Sequence, residues 1–512
     1  MSDQSSSSEE EQPESKSKIR ISFILSPSIF KERETLEIPK EPIAVPSSIR
    51  KRGLSAIVNH LLDRKVISDD DTNNNSDDSD DNEDQLPAIP FDFLLNSKLL
   101  RLSLDTAIRK EGLSTEHAIE LEYFPARLPP RKDGESDVLP DWINVMDYNH
   151  SSGSEGNSSE GGIKGVLFTG GADGSIRSFQ STTTSGSSSL QQMCSVMAHT
   201  APIKCLSTTS FLNGSNNQST LVATGSMDQT LITHLYNPSS SSTLNLHAVY
   251  TGGHTNSIGS VALNNNSGGT EGGSDKIIMA SGDWDGGLAI WSIPTSEEIA
   301  DTNNNDEENS SLKKQKGIKG SKVTSSNNTS IHEVKPLQSI KAHSTNISGI
   351  SFTHNNSSTI ITGSWDHSLK IYDINRMDNI LTLNGSRVIT SISRCCNSNV
   401  VATSNSDNTV RLWDMRTDGS GSSTMSNGGM DKSLRTSHKG WISNVCWSNV
   451  DPYILGSTSH DGTLKVWDIR SSLPLHTVKA VSKKGEKVLC LSFGENVIYS
   501  GGSDCVVKQF GL

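Results

Sequence analysis

Polar and apolar positions alternate with period two through most of the chain from about residue 140 onward, and one phrase returns seven times. It reads FTGGADGSIRSF, ATGSMDQTLITH, MASGDWDGGLAIW, IITGSWDHSLKIY, VATSNSDNTVRLW, LGSTSHDGTLKVW and IYSGGSDCVVKQF. The units align on Asp173, Asp228, Asp285, Asp366, Asp407, Asp461 and Asp504. Four positions earlier stands a hydroxyl (Thr169, Thr224, Ser281, Thr362, Thr403, Ser457, Ser500), and six positions later a ring (Phe179, His234, Trp291, Tyr372, Trp413, Trp467, Phe510). Alternation such as Thr463, Leu464, Lys465, Val466 predicts strands, with the aspartate in the tight turn between two of them. His199, His254, His343 and His438 each precede a further alternating segment. Each repeat therefore predicts an inner strand, a hairpin and an outer strand.

Residues 18 to 124 have another texture. KIRISFIL alternates as a strand, ETLEIPK reads as its hairpin partner, and Leu54, Ile57, Val58, Leu61 and Leu62 fall at helical spacing. IPFDFLL and AIELEYF again read as strands, separated by the helix-like SLDTAIRKEG. The order β, β, α, β, helical turn, β predicts a ubiquitin-like β-grasp.

The seven units resemble WD repeats, whose signature stands here as His254, Ser281, Asp285, Trp291 and as His438, Ser457, Asp461, Trp467. The resemblance implies a mainly β fold, a seven-bladed propeller preceded by the small α+β ubiquitin-like domain. The first, fifth and seventh units lack a clearly placed histidine, and His234 replaces a tryptophan, so those blades are expected to be less rigid. The last unit stops two residues past its third strand; a strand between about Phe124 and Trp142 is expected to close the ring. The predicted organisation is a Ser-rich acidic tail (1–17), the ubiquitin-like domain (18–124), a linker with the closing strand (125–141) and the propeller (142–512).

Composition refines this picture. Only 32% of the 512 residues are hydrophobic, so much of the length must be loop. Low-complexity inserts near 151–162, 264–274 and 301–333 interrupt the propeller, and an acidic insert, 69–85, interrupts the first domain. The net charge of −13 is concentrated there, because Asp69 to Asp84 holds nine acidic residues and no basic one. The third insert carries KKQKGIKGSK, a solvated basic stretch or a nuclear-import signal. No apolar run approaches the roughly 18 to 20 residues of a membrane span, and seven scattered cysteines without CxxC spacing argue against disulfides and zinc.

Phosphate-loop, HExxH and GxSxG motifs are missing. A histidine, an aspartate and a serine in one repeat invite comparison with a nucleophilic triad, but here the set recurs around a ring and ends on an indole N–H. The chain is read as a non-enzyme with no cofactor and no metal of its own. The aromatics, 5% of residues, are read as blade positions, which leaves only scattered Lys and Arg for any contact with pre-rRNA.

RGLSAIVNHLL (Arg52 to Leu62), IPFDFLLNSKLLRLSL (Ile89 to Leu104) and KEGLSTEHAIELEY (Lys110 to Tyr123) resemble the Notchless-type ubiquitin-like domain of WD-repeat ribosome-biogenesis factors. That resemblance implies a nucleolar and nucleoplasmic assembly factor of the large subunit. It implies pescadillo and block-of-proliferation proteins, the pre-ribosome and the midasin AAA ATPase as partners, and no membrane. It also implies that Glu116, in GLSTE, fills a coordination position on midasin's metal ion, since hard divalent cations favour carboxylate oxygens. Two other readings are a substrate receptor of a cullin-type ubiquitin ligase, or generic scaffold, and Notchless itself, against which seven units rather than eight argue.

Overall fold

The computed structural model describes residues 18–27, 36–64, 86–150, 165–184, 187–213, 217–238, 243–264, 277–294, 333–353, 358–415, 430–434 and 438–512. The N-terminal tail, the acidic insert and nearly all of the three propeller inserts, the lysine-rich stretch included, lie outside the described residues. The chain divides into two units, Met1–Leu128 and Pro129–Leu512.

In the first unit β1 (Lys18–Leu25), β2 (Ile43–Pro46), β3 (Phe91–Leu95), β4 (Lys98–Leu99) and β5 (Ile119–Pro125) form one sheet in the order β2-β1-β5-β3-β4. Strands β1 and β5 run parallel at its centre. Helix α1 (Lys51–Leu61) lays Leu54 and Val58 against a core containing Phe23, Phe91, Phe93 and Tyr123. Asn59 is buried among apolar neighbours and satisfied: its Nδ2 donates to Ser55 O and Ile89 O, and its Oδ1 accepts from Ile89 N at 2.9 Å. Helix α2 (Leu104–Glu111) stops at Gly112, whose φ of 65° makes the left-handed cap that favours glycine.

One sequence expectation is corrected here. The described part of ETLEIPK, residues 36–40, does not pair with β1; the partner is β2, with Ile19 opposite Val45 and Ile21 opposite Ile43. Pro39 and Pro42 carry no N–H, so a ladder cannot run through them. Leu36 and Ile38 nevertheless enter the core, and Tyr123 Oη donates to Leu36 O at 2.6 Å.

The second unit holds seven sheets. Their inner strands are Ile143–His150, Ile203–Asn213, Ile258–Leu263, Ile347–Phe352, Ile389–Arg394, Ile442–Trp447 and Val488–Phe493, and each touches the next in a closed ring. The seventh sheet is completed by β6 (Arg131–Glu135), which runs antiparallel to Lys508–Gly511. Ser136 N donates to Val507 O at 2.9 Å, and Val507 N to Ser136 Oγ at 3.0 Å, extending the seam. Blade 2 gains a fifth strand, since Glu333–Val334 pairs parallel to Thr243–Tyr250.

Every inner strand carries a bulge after its first residue. The displaced side chain is re-aimed at the neighbouring blade. Asn144 donates to Ile203 O, Ser348 to Ile389 O, Thr390 to Ile442 O and Ser443 to Val488 O, at 2.6 to 3.1 Å. These bonds join successive blades around the axis.

Candidate functional site

The aligned hydroxyls and rings of all seven repeats are buried. In blade 6 the four signature residues form a chain. His438 Nδ1 lies 3.3 Å from Asp461 Oδ2, its Nε2 2.9 Å from Ser457 Oγ, and Trp467 Nε1 donates to the same Oγ at 2.8 Å. The carboxylate only accepts, so Nδ1 carries the imidazole hydrogen. Nε2 then accepts from the serine hydroxyl, which in turn accepts from the indole. The serine is fully buried, out of reach of any substrate, with its hydroxyl held between the imidazole and the indole; the network fastens a turn to a strand.

Blade 3 departs from the sequence alignment. His254 Nδ1 bonds Asp283 Oδ2 at 3.0 Å, not Asp285, while Ser281 Oγ lies 2.6 Å from Nε2 and accepts from Trp291 at 2.7 Å. The reason is local. In the blades built on Asp228, Asp366 and Asp461 a hydroxyl two residues later (Thr230, Ser368, Thr463) bonds the turn aspartate and holds it toward the histidine. Here that position is Gly287, and Asp283 replaces the usual serine; its Oδ1 takes the N–H groups of Asp285 and Gly287. Asp285 is left exposed, bonded by Asn256 Nδ2.

Blades 2 and 4 use His199 with Asp228 and Thr224, and His343 with Asp366 and Thr362. At the ring position of blade 2, His234 is buried with its Nδ1 unpartnered, and burial beside His199 and His247 pushes its pKa down to about 4. A neutral imidazole thus occupies the indole's place.

The blades without a histidine are tied by ion pairs instead. Asp173 pairs with Arg177, Asp407 with Arg411 and Asp504 with Lys508, each cation four residues after its aspartate on the next strand. In blade 5, Asn405 Nδ2 also donates to Thr403 Oγ1, which accepts from Trp413 as well.

Burial holds the imidazoles of His199 and His343 below their usual range and that of His438 at about 4. Unfolded histidine titrates near 6.5. Between those values the unfolded chain binds protons that the folded chain refuses, so stability falls as pH drops from about 6.5 toward 4. The melting temperature is expected to decline over that interval. His438→Ala is expected to cost about 1 to 3 kcal/mol at pH 7, by leaving buried partners unpaired, and to flatten the decline. A melt identical to wild type at both pH 7 and pH 5 would contradict this.

Glu116 lies in the α2–β5 loop. The residue is exposed, and its N–H donates to Ser114 Oγ at 3.3 Å in a local turn. The described residues give that carboxylate no ion pair. Sequence reasoning singled it out from its flanking phrase alone.

The NLE (NUC135) domain family matches residues 29–108, and the WD domain, G-beta repeat family matches residues 334–373, 377–414 and 431–468. Curated relatives match almost end to end. A ribosome biogenesis protein WDR12 homolog of Chlamydomonas reinhardtii is 29% identical over 93% of this chain and 94% of its own. Its namesake in Nematostella vectensis is 26% identical, over 93% and 96%. Ribosome biogenesis protein YTM1 of Saccharomyces cerevisiae is 27% identical over 96% of both chains. An NLE domain match ahead of WD-repeat matches, with this near-complete coverage, makes the chain similar along almost its whole length to these ribosome biogenesis proteins and gives it their domain order.

Proposed function

We propose that the chain is a non-catalytic assembly factor for the large ribosomal subunit, resident in the nucleolus and nucleoplasm, that serves pre-rRNA processing and maturation of the subunit. The observation that carries this is similarity across nine-tenths of the chain to proteins named for ribosome biogenesis. In this reading the propeller docks on the block-of-proliferation protein, beside pescadillo, and the ubiquitin-like domain is the handle by which midasin removes the factor. Glu116 supplies the carboxylate to midasin's metal ion. An exposed glutamate without an internal ion pair is free to be offered to a partner's cation, which needs no rearrangement of the fold. A cullin-ligase receptor would leave the NLE domain without a role.

The test is affinity purification of the tagged chain from its own cells, in parallel with Glu116→Ala and Glu116→Gln. Pescadillo, its partner and large-subunit precursors are expected with all three proteins. Magnesium-dependent midasin binding is expected to weaken at least about tenfold in both variants, roughly 1.4 kcal/mol. Unchanged midasin affinity would overturn the handle; absence of ribosomal precursors would overturn the function.

A further inference from the structure

Four of the chain's eight tryptophans are buried, Trp291, Trp413, Trp447 and Trp467. The other four are exposed: Trp142 (47%), Trp284 (38%), Trp365 (43%) and Trp441 (55%), joined by Met227 (37%). All five stand at two structurally equivalent positions. In every blade, the N–H of the residue before the turn aspartate donates to the carbonyl just ahead of the inner strand, as Trp284 N does to Ser257 O and His460 N to Trp441 O. Trp142, Met227, Trp284, Trp365 and Trp441 each occupy one side of such a bond, so they share one end of the propeller. The Trp284 and Trp365 rings lie 6.2 Å apart, and a Cβ on Gly259 would touch Trp284. They form a continuous apolar surface across blades 3 and 4.

At the same end, the loops entering blades 5, 6 and 7 carry Arg387, Lys439, Lys483, Lys484 and Lys487 against one acid, Glu486. Of the turn carboxylates beneath them, Asp407 is paired with Arg411 and Asp504 with Lys508, and Asp461, which faces the neutral His438, adds one negative charge against the five cations. This surface is therefore positive in a chain whose net charge is −13.

We propose that this end of the propeller is the docking face for a partner protein, and that it takes an acidic segment bearing apolar side chains, the carboxylates on the lysine loops and the apolar groups on the tryptophans. Charge complementarity selects the sign of the segment, and tryptophan with methionine is the composition of interface centres. Trp284 and Trp365 pack against one another instead of standing apart as base-stacking platforms, which favours protein over single-stranded RNA. The inference rests on the reading that the propeller docks within a pre-ribosomal assembly.

The experiment uses the full tagged chain in the complex purified from its own cells. Zero-length carbodiimide coupling joins lysines to carboxylates and is located by mass spectrometry; oxidative footprinting reads tryptophan exposure. Links from Lys439, Lys483, Lys484 or Lys487 to Asp or Glu of one partner protein are expected, with Trp284 and Trp365 protected relative to the isolated chain. The double variant Trp284→Ala, Trp365→Ala and the double variant Lys483→Glu, Lys484→Glu are each expected to lower recovery of that partner at least about tenfold with unchanged melting. Ultraviolet cross-links to RNA at these residues, or tryptophans equally oxidised in the complex, would overturn the proposal. Recovery of ribosomal precursors is scored separately and reads the proposed function alone.

Discussion

Replacing Lys508 by methionine is expected to destabilise the propeller by about 3 to 5 kcal/mol, the usual consequence of removing one partner from a buried ion pair. Its Nζ pairs with Asp504 Oδ2 and donates to Ala480 O at 2.5 Å, with both side chains shielded from water. Lys508 is also opposite Glu135 in the ladder that closes the ring. The variant leaves Asp504 charged and dry beside the closing strand. Urea denaturation would measure the loss, and two comparisons define its origin. Arg411→Met should cost less, because Asp407 is partly exposed and has Arg387 3.8 Å away as a second cation. Adding Asp504→Leu to Lys508→Met should restore part of the loss, since no orphan charge then remains. If the single variant were as stable as wild type, the pair would have no part in holding blade 7.

Gly286→Val is expected to cost at least about 3 kcal/mol and to deplete soluble protein. The residue after the turn aspartate is left-handed in every blade: glycine at 174, 286 and 462, and Gln229, His367, Asn408 and Cys505 elsewhere. A β-branched residue at Gly286, where φ is +83°, carries the left-handed penalty of about 1 to 2 kcal/mol or more. Its Cβ would also overlap the carbonyl oxygens of His343 and Thr345 in the adjoining loop. That loop cannot retreat freely, because Ala342 N and His343 N both donate to Gly286 O. The reverse change, Gln229→Gly, should be neutral or stabilising by up to about 1 kcal/mol, as the strain is released where no such overlap exists. Thermal melts of the two variants should move in opposite directions; a harmless Gly286→Val would show that the turn can adopt another conformation.

The parts of this fold that were legible in advance are those governed by short-range chemistry. A hydroxyl, an aspartate and a ring at fixed spacing describe one hairpin, in which alternation decides the face and the turn decides the register, so seven hairpins could be counted directly. Likewise Leu54 and Val58 reach the core from one side of a helix because helical spacing puts them there. ETLEIPK failed where alternation and hydrogen bonding disagree: Leu36 and Ile38 are buried as the pattern says, but the prolines deny them a ladder.

The chain's sequence by itself determined that there are seven blades and which hydroxyls and rings they bury, because each rests on contacts between residues close in the chain; the β-grasp was legible from the order of its elements, although its central β1–β5 pair joins residues far apart in the chain. Only the tertiary structure decided which carboxylate answers a histidine 29 residues away, Asp283 and not Asp285, since that choice turns on which oxygen the absence of a hydroxyl at Gly287 leaves within reach. The same holds for the cations that replace histidine in blades 1, 5 and 7. It holds most for the tryptophans. In the sequence Trp284 and Trp291 stand seven residues apart in one repeat, yet the turn holds the first out at the end of the propeller and the strand turns the second into the core. Burial of Trp291 is completed by Tyr250 of the neighbouring blade, which no single repeat contains.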